Sequence, residues 1–182
     1  MGNKKVYWVD ETERLPSENL AINSSCVELV EKGEFELIAR LYRHKKGVIL
    51  GSNESIHDLN WEFCKNKGYE IVRRPSGGSA IVTEPDLVLC YSVFFNTEKL
   101  LSLNRLNIHN IYKEITIPLA KNLGRHFSVE GSYYIRYNNN GLRTPIAGHA
   151  MRSYKNVTQF DGCLLYTSPS PRDRTRSRMP SS

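Results

Sequence analysis

"RRPSGGSAIVTEPDLVLCYSV", residues 73–93, sets two arginines against a serine-and-glycine turn and then runs through two apolar stretches separated by Glu84, Pro85 and Asp86. "SAIVT" and "LVLCYSVFF" read as strands, and "YEIVRR" ahead of the turn reads as another. Neighbouring strands with no helix between them exclude a doubly wound sheet. They predict an α+β domain with a mixed, largely antiparallel sheet flanked by helices. Glycines at 77 and 78 let the turn's backbone approach a ligand and aim its N–H groups at it, and Arg73 and Arg74 suit a carboxylate or phosphate. Neither the GxxxxGK[ST] spacing nor GxGxxG is present, so this is not a nucleotide loop of either kind. Strand, SGG turn and strand also describe a plain hairpin, and paired arginines a solvated edge.

The pattern extends both ways from that stretch. After "LPSEN", Ser17 is placed to cap a helix on which Leu20, Ser24, Val27 and Val30 recur, with Gly33 as its stop. "FELIARLY" alternates Phe35, Leu37, Ala39 and Leu41 as a strand, and "GVILG" reads as a short buried one. Asp58 is placed to cap a short helix through "LNWEFCKNK", closed by Gly68. Ile108, Ile111, Tyr112, Ile115 and Leu119 share a helical face, with a kink or break expected at Pro118 and a stop at Gly124. "YYIRYNNNGLRTPIAGHAMR" reads as a hairpin turning at Asn140-Gly141.

At 182 residues, 40% hydrophobic and 24% charged, the composition is that of one globular domain. No run approaches the roughly 18 apolar residues of a membrane helix, and the N-terminus has no secretory signal, so a cytoplasmic location without membrane partners is expected. Cys26, Cys64, Cys90 and Cys163 form no CxxC pair, which predicts free thiols rather than a metal or redox motif. From Cys163 the chain turns abruptly to Pro, Ser and Arg, and "CLLYTSPSPRD" is similar to a translated transposase adapter used in preparing sequencing libraries. The expectation is a domain over residues 1–162 and a non-native, disordered tail over 163–182. Without that tail the net charge of +6 falls to +3, and the case for a nucleic-acid partner goes with it.

Three ordered stretches, "ENLAINSSC" with "LYRHKKGVILGSN", "RRPSGGSAIV", and "PIAGHAMR", together resemble the lipoate–protein ligase and octanoyltransferase family, with its Arg-Arg-x-Ser-Gly-Gly-Gly-Ala-Val signature. The resemblance implies the fold shared with biotin protein ligases and class II tRNA synthetases, and a chain that stops before the C-terminal part of the catalytic domain. It implies activation of lipoate or octanoate with ATP and Mg²⁺, and transfer to a lysine of a lipoyl carrier domain such as the glycine cleavage H protein or a 2-oxoacid dehydrogenase acyltransferase subunit. By resemblance, Arg73 and Arg74 lie beside phosphate or carboxylate, Ser76, Gly77, Gly78, Ser79 and Ala80 wrap acyl chain and adenylate, and Tyr42 with Val48 to Gly51 lines the pocket. Gly148 and His149 belong to the downstream motif.

The chain departs from the family where the chemistry is done. The family's lysine before Ile-Ala-Gly is Pro145 here, which has neither charge nor N–H, leaving Arg143, His149 or Arg152 as substitutes. Tyr133 and Tyr134 stand where the ligases carry an Asn-Asp pair, and His126 where one octanoyltransferase branch carries a nucleophilic cysteine. No metal ligands are expected. Three readings follow: a ligase, an ATP-independent acyltransferase, or a non-catalytic acyl-binding homologue. "RRPSGGS" differs from the more arginine-rich loop of biotin ligases.

Overall fold

The computed structural model of the chain describes residues 6–10, 12–98, 108–131, 134–139 and 142–165. A seven-stranded sheet contains β1 (Val6–Asp10), β2 (Leu37–Arg43), β6 (Val88–Asn96), β7 (Phe127–Glu130), β8 (Tyr134–Asn139), β9 (Leu142–Ser153) and β10 (Val157–Leu165) in the order β1-β2-β6-β10-β9-β8-β7. Only the β1–β2 pair is parallel. A second sheet of three short strands, β3 (Gly47–Leu50), β4 (Glu70–Arg73) and β5 (Ile81–Thr83), has β3 in the middle. The helices are α1 (Pro16–Glu31), α2 (Trp61–Asn66) and α3 (Ile108–Leu123). This is the expected α+β architecture. No helix among the described residues is long and apolar enough to cross a membrane.

Cross-strand neighbours share a face of a sheet, so the register sorts the side chains. On one face Ile38 and Phe94 pack with Cys26, Val27 and Val30 of α1. On the other, Tyr91, Phe95 and Phe160 pack with Ile111 and Tyr112 of α3. Because β2, β6 and β10 are covered on both faces, they are buried throughout rather than alternately. β2 shows the consequence: Ile38, Arg40 and Tyr42, on the face opposite the expected apolar one, are almost wholly buried.

α1 starts two residues earlier than a Ser17 cap would place it. Leu15 is its N-cap, with Pro16 in the first turn and the Glu18 carboxylate accepting the Leu15 N–H at 2.9 Å. Ser17 instead donates its backbone N–H to Glu70 of β4 at 3.0 Å. The buried face of α1 runs through Asn19, Asn23, Cys26, Val27 and Val30, not Leu20 and Ser24. Two asparagines occupy it because Arg40 beneath needs acceptors. Asn60, not Asp58, caps α2, its side chain accepting the Phe63 N–H at 2.9 Å. α3 passes through Pro118 without a break and ends before Gly124, whose φ is positive. The Asn140-Gly141 turn and the chain after Leu165 lie outside the described residues, and β10 runs three residues past the expected 162/163 boundary.

The strand register also corrects the expectation of free thiols. Cys90 and Cys163 are direct partners on β6 and β10, and their sulfurs are joined, while Cys26 and Cys64 lie outside that disulfide.

A candidate acyl-binding cleft

β4 and β5 do not pair with each other: both flank β3, so the "RPSGGSA" connection arches over the end of β3 and is not a hairpin. Gly51, just after β3, lies directly beneath the arch, where a Cβ would collide with the Gly78 carbonyl. Gly78 sits at φ +92°, a conformation that favours glycine. The sequence Gly-turn-Gly thus meets itself, and the close approach it permits is between two loops of the same chain.

Both arginines spend their donors on that arrangement. Arg73 donates to the carbonyls of Gly51 at 2.7 Å, Ser52 at 3.2 Å and Glu54 at 2.8 Å. Arg74, buried, donates to Ile49 at 3.1 Å, Gly77 at 2.6 Å and Ser79 at 3.0 Å, curling the turn around its guanidinium. Burial lowers the Arg74 pKa, an effect that the nearby Asp161 and Glu54 charges oppose. Its Nε is buried and carries no hydrogen bond. Ser76 is buried as well, with its hydroxyl turned down to the Asp161 carboxylate at 3.3 Å.

Beside the turn a cleft of about 590 Å³ is lined by Leu20, Ala21 and Ser24 of α1, by Ser52, by Arg73, Arg74 and Pro75, and by Arg152 and Tyr154. A buried polar chain is joined to the turn through the Ser76–Asp161 bond. Arg40 donates to Asn19 Oδ1 at 3.0 Å and to Asn23, and lies 4.4 Å over the Tyr42 ring. Tyr42 Oη meets Ser92 Oγ at 2.9 Å, Ser92 donates to Asp161 at 2.7 Å, and Gln159 donates to both Asp161 oxygens. Burial, then the Asp161 charge, pushes the Tyr42 phenol up to about 12. Burial also raises the Asp161 carboxyl, against the lowering effect of Gln159, Ser92, Arg74 and Ser76.

The expected site residues therefore divide. Arg73 and Arg74 line the cleft, Ser76 to Ser79 form the turn beside it, and Tyr42 is linked to Ser76 through Ser92 and Asp161. Ala80 packs with the core of the small sheet, where Val48 and Leu50 are buried against Cys64. Gly148 lies in the middle of β9 rather than in a turn, facing Cys163 and Tyr134. Pro145 is exposed and paired with Arg136, and Tyr134 is half exposed; Tyr133 lies outside the described residues. His149 is not in the cleft: its cross-strand partner is Gly162, and it meets the Tyr91 hydroxyl and the Phe160 ring on the α3 face, with the sheet between it and Ser76. His126 precedes β7 at the sheet edge, its ring against Tyr137. Of the three substitutes for the missing lysine, only Arg152 reaches the cleft, donating to the Pro75 carbonyl at 2.9 Å. Asp161 and Ser92 were not singled out from sequence; a serine inside the apolar stretch of β6 was the available signal.

Comparison with known proteins bears on this arrangement directly. The family described as the lipoyl protein ligase A/B catalytic domain matches residues 15–173. The chain belongs to that family. Among solved structures, it is similar to the bipartite lipoate protein ligase of Thermoplasma acidophilum, studied with its E2 lipoyl domain, at 17% identity and a TM-score of 0.73, covering 95% of this chain and 69% of that one. It is also similar to P. falciparum LipL1 in complex with lipoate, at 22% identity and TM-score 0.61, over 88% of this chain and 47% of that one. A third is a lipoate-protein ligase A bound with ATP, at 17% identity and TM-score 0.64, over 90% and 67%. These likenesses share the fold. No curated protein matches the chain significantly.

Proposed function

We propose that the cleft beside the Ser76–Ser79 turn holds the lipoyl or octanoyl group, and that the whole protein passes it to a lysine of a lipoyl carrier domain. Family membership across residues 15–173 carries this reading, and the cleft supplies what it needs. Leu20 and Ala21 offer an apolar wall, while the unpartnered, buried Arg74 Nε and the exposed Arg152 offer donors to a carboxylate or phosphate. ATP bound there would supply an adenylate leaving group. Arg73, Arg74 and Arg152 are the residues that would hold its phosphates, and the glycines at 77 and 78 would admit its backbone contacts. Among the described residues no group of three or more His, Cys, Asp or Glu could hold a metal ion, so Mg²⁺ would be held chiefly by the ATP phosphates. The partners expected are lipoyl carrier domains, and the place of action the cytoplasm.

A second reading, ATP-independent acyl transfer, is favoured by Pro145. A proline there cannot neutralise the charge that builds on the acyl carbonyl and α-phosphate during adenylation. Two assays on the chain separate the readings. Pyrophosphate release from lipoate and ATP supports the ligase. Acyl transfer from octanoyl carrier protein to a lipoyl domain without ATP supports the transferase. Lipoate binding with neither reaction leaves an acyl-binding homologue, and no binding of lipoate or octanoate refutes the acyl cleft.

A further inference from the structure

The small sheet and its turn lie over one face of the large sheet, and among the described residues two side-chain hydrogen bonds tie the turn to that face. One is Arg152 to the Pro75 carbonyl at 2.9 Å, made by an exposed side chain. The other is Ser76 to Asp161 at 3.3 Å, a part-buried bond in which Ser76 is buried and Asp161 partly so. Water competes more with the first than with the second, so the better shielded bond carries more of the turn's position.

Asp161 is built to act as an anion. Its Oδ1 accepts from Ser92 at 2.7 Å and Gln159 at 3.0 Å, and its Oδ2 from Gln159 at 2.9 Å and Ser76 at 3.3 Å. Gln159 Nε2 can only donate, and both serine hydroxyls can donate as well, so an ionised carboxylate accepts from all of them without any hydroxyl turning round. Ser92 can give its proton to Asp161 because it accepts from Tyr42 or Asn23 behind it. Protonation would remove the charge that these donors face and leave Glu54 as the remaining acidic charge acting on Arg74.

We propose that Asp161 is the positioning residue of this cleft: its ionised carboxylate, fixed in β10, clamps Ser76 and balances Arg74, so the turn holds its ligand-ready form only while Asp161 is charged. The part of this that concerns ligand rests on the acyl-cleft reading; the part that concerns the turn does not.

Burial raises the carboxyl above its ordinary 3.8. The other charged or titratable groups that face it are Arg40 and Tyr42 from β2, Arg74 from the arch, and Arg152 and Tyr154 from β9 and the turn after it. Tyr91 acts on it through the sheet. The Tyr42 phenol, pushed up to about 12, stays neutral through the acidic and neutral range. His44, next along β2, stays neutral down to about 4.

The test uses the whole chain and two readouts. In the ligand-free protein, the amide NMR signals of Gly77 and Gly78 are followed from about pH 4.5 to about pH 8. A common inflection is expected in the wild type and none in Asp161→Asn. Ser76→Ala, which removes only the clamped hydroxyl, should keep the fold and lose most of the inflection at these two residues. Flat signals in the wild type, or an inflection unchanged in Asp161→Asn, overturn the proposal. Lipoamide, which has no titrating group, is then used as the ligand in calorimetry. The wild type should bind about tenfold more tightly at the upper end of the range, the weight of one buried hydrogen bond, and Asp161→Asn should bind weakly and without pH dependence. Lipoamide affinity that ignores pH while the amides titrate removes the ligand part. Failure of lipoamide to bind the wild type at any pH refutes the acyl cleft, while the amide titration still decides the role of Asp161 in the turn.

Discussion

Replacing His44 should change how the protein's stability responds to acid. His44 is buried, 3% exposed, and its Nδ1 lies 3.2 Å from Asn19 Nδ2, a donor, so the ring accepts there and is neutral. Burial, reinforced by the Arg40 charge, lowers its pKa from 6.5 to about 4. Below pH 6.5 the unfolded chain gains a proton at this histidine that the folded protein refuses, so stability falls as pH drops from 6.5 toward about 4 and is flat below. At about pH 4.5 the loss through this one group comes to ~2.5 kcal/mol. Asp161 works in the opposite sense, since its raised pKa makes the folded state the better proton acceptor, and a difference measurement is therefore needed. Urea unfolding at about pH 7.5 and about pH 4.5 would be compared for the wild type and His44→Gln, which keeps an acceptor for Asn19. The variant should lose ~2.5 kcal/mol less on acidification than the wild type does. If the two lose the same amount within about 0.5 kcal/mol, burial is not suppressing the charge and the reasoning is refuted.

Arg74→Lys should cost about 2–4 kcal/mol in denaturant unfolding, because a lysine cannot serve three carbonyls and leaves buried acceptors unpaired. Unchanged stability would show that the turn does not depend on the guanidinium. Gly51→Ala should push the Gly78 carbonyl away and weaken lipoate binding by about tenfold or more, measured by calorimetry, while circular dichroism stays native. Phe160→Ala should cost about 3–5 kcal/mol, since Phe160 is fully buried between Tyr91, Tyr112 and His149. Pro145→Lys restores a cation at an exposed position of β9, and should raise pyrophosphate release from lipoate and ATP if the cleft adenylates; a rate equal to the wild type's would count against the ligase.

The fold class could be read from residues 70–96, where three strands follow one another without a helix, and the arch glycines announced a close approach. What sequence could not reveal was that the approach is made by Gly51 of the same chain. β10 was missed altogether. Thr158, Gln159 and Asp161 give it a polar look, yet Thr158 and Gln159 are buried, and Thr158 and Asp161 bond to partners that are distant in sequence, which periodicity cannot detect. The same blindness rotated the stripe on α1 onto Leu20 and Ser24, because Asn19 and Asn23 count as polar until Arg40 is known to lie beneath them. For the site, the cluster at residues 73–80 was legible as a unit, whereas His149 was placed by motif and not by register. One residue's shift along a strand turns a side chain to the other face, and that decided where His149 points.

β10 pairs with β6 on one side and β9 on the other, so it joins β1-β2-β6 to β9-β8-β7. On the ribosome it is made after every other described strand. Until residues 157–165 emerge, the nascent chain has two separate half-sheets, each ending in an open apolar edge of its own, and no continuous surface for α1 and α3 to settle on. Closure of the sheet is thus a late, long-range event in the life of each molecule, and the interval before it is when a chaperone or a neighbouring chain would most readily occupy the gap.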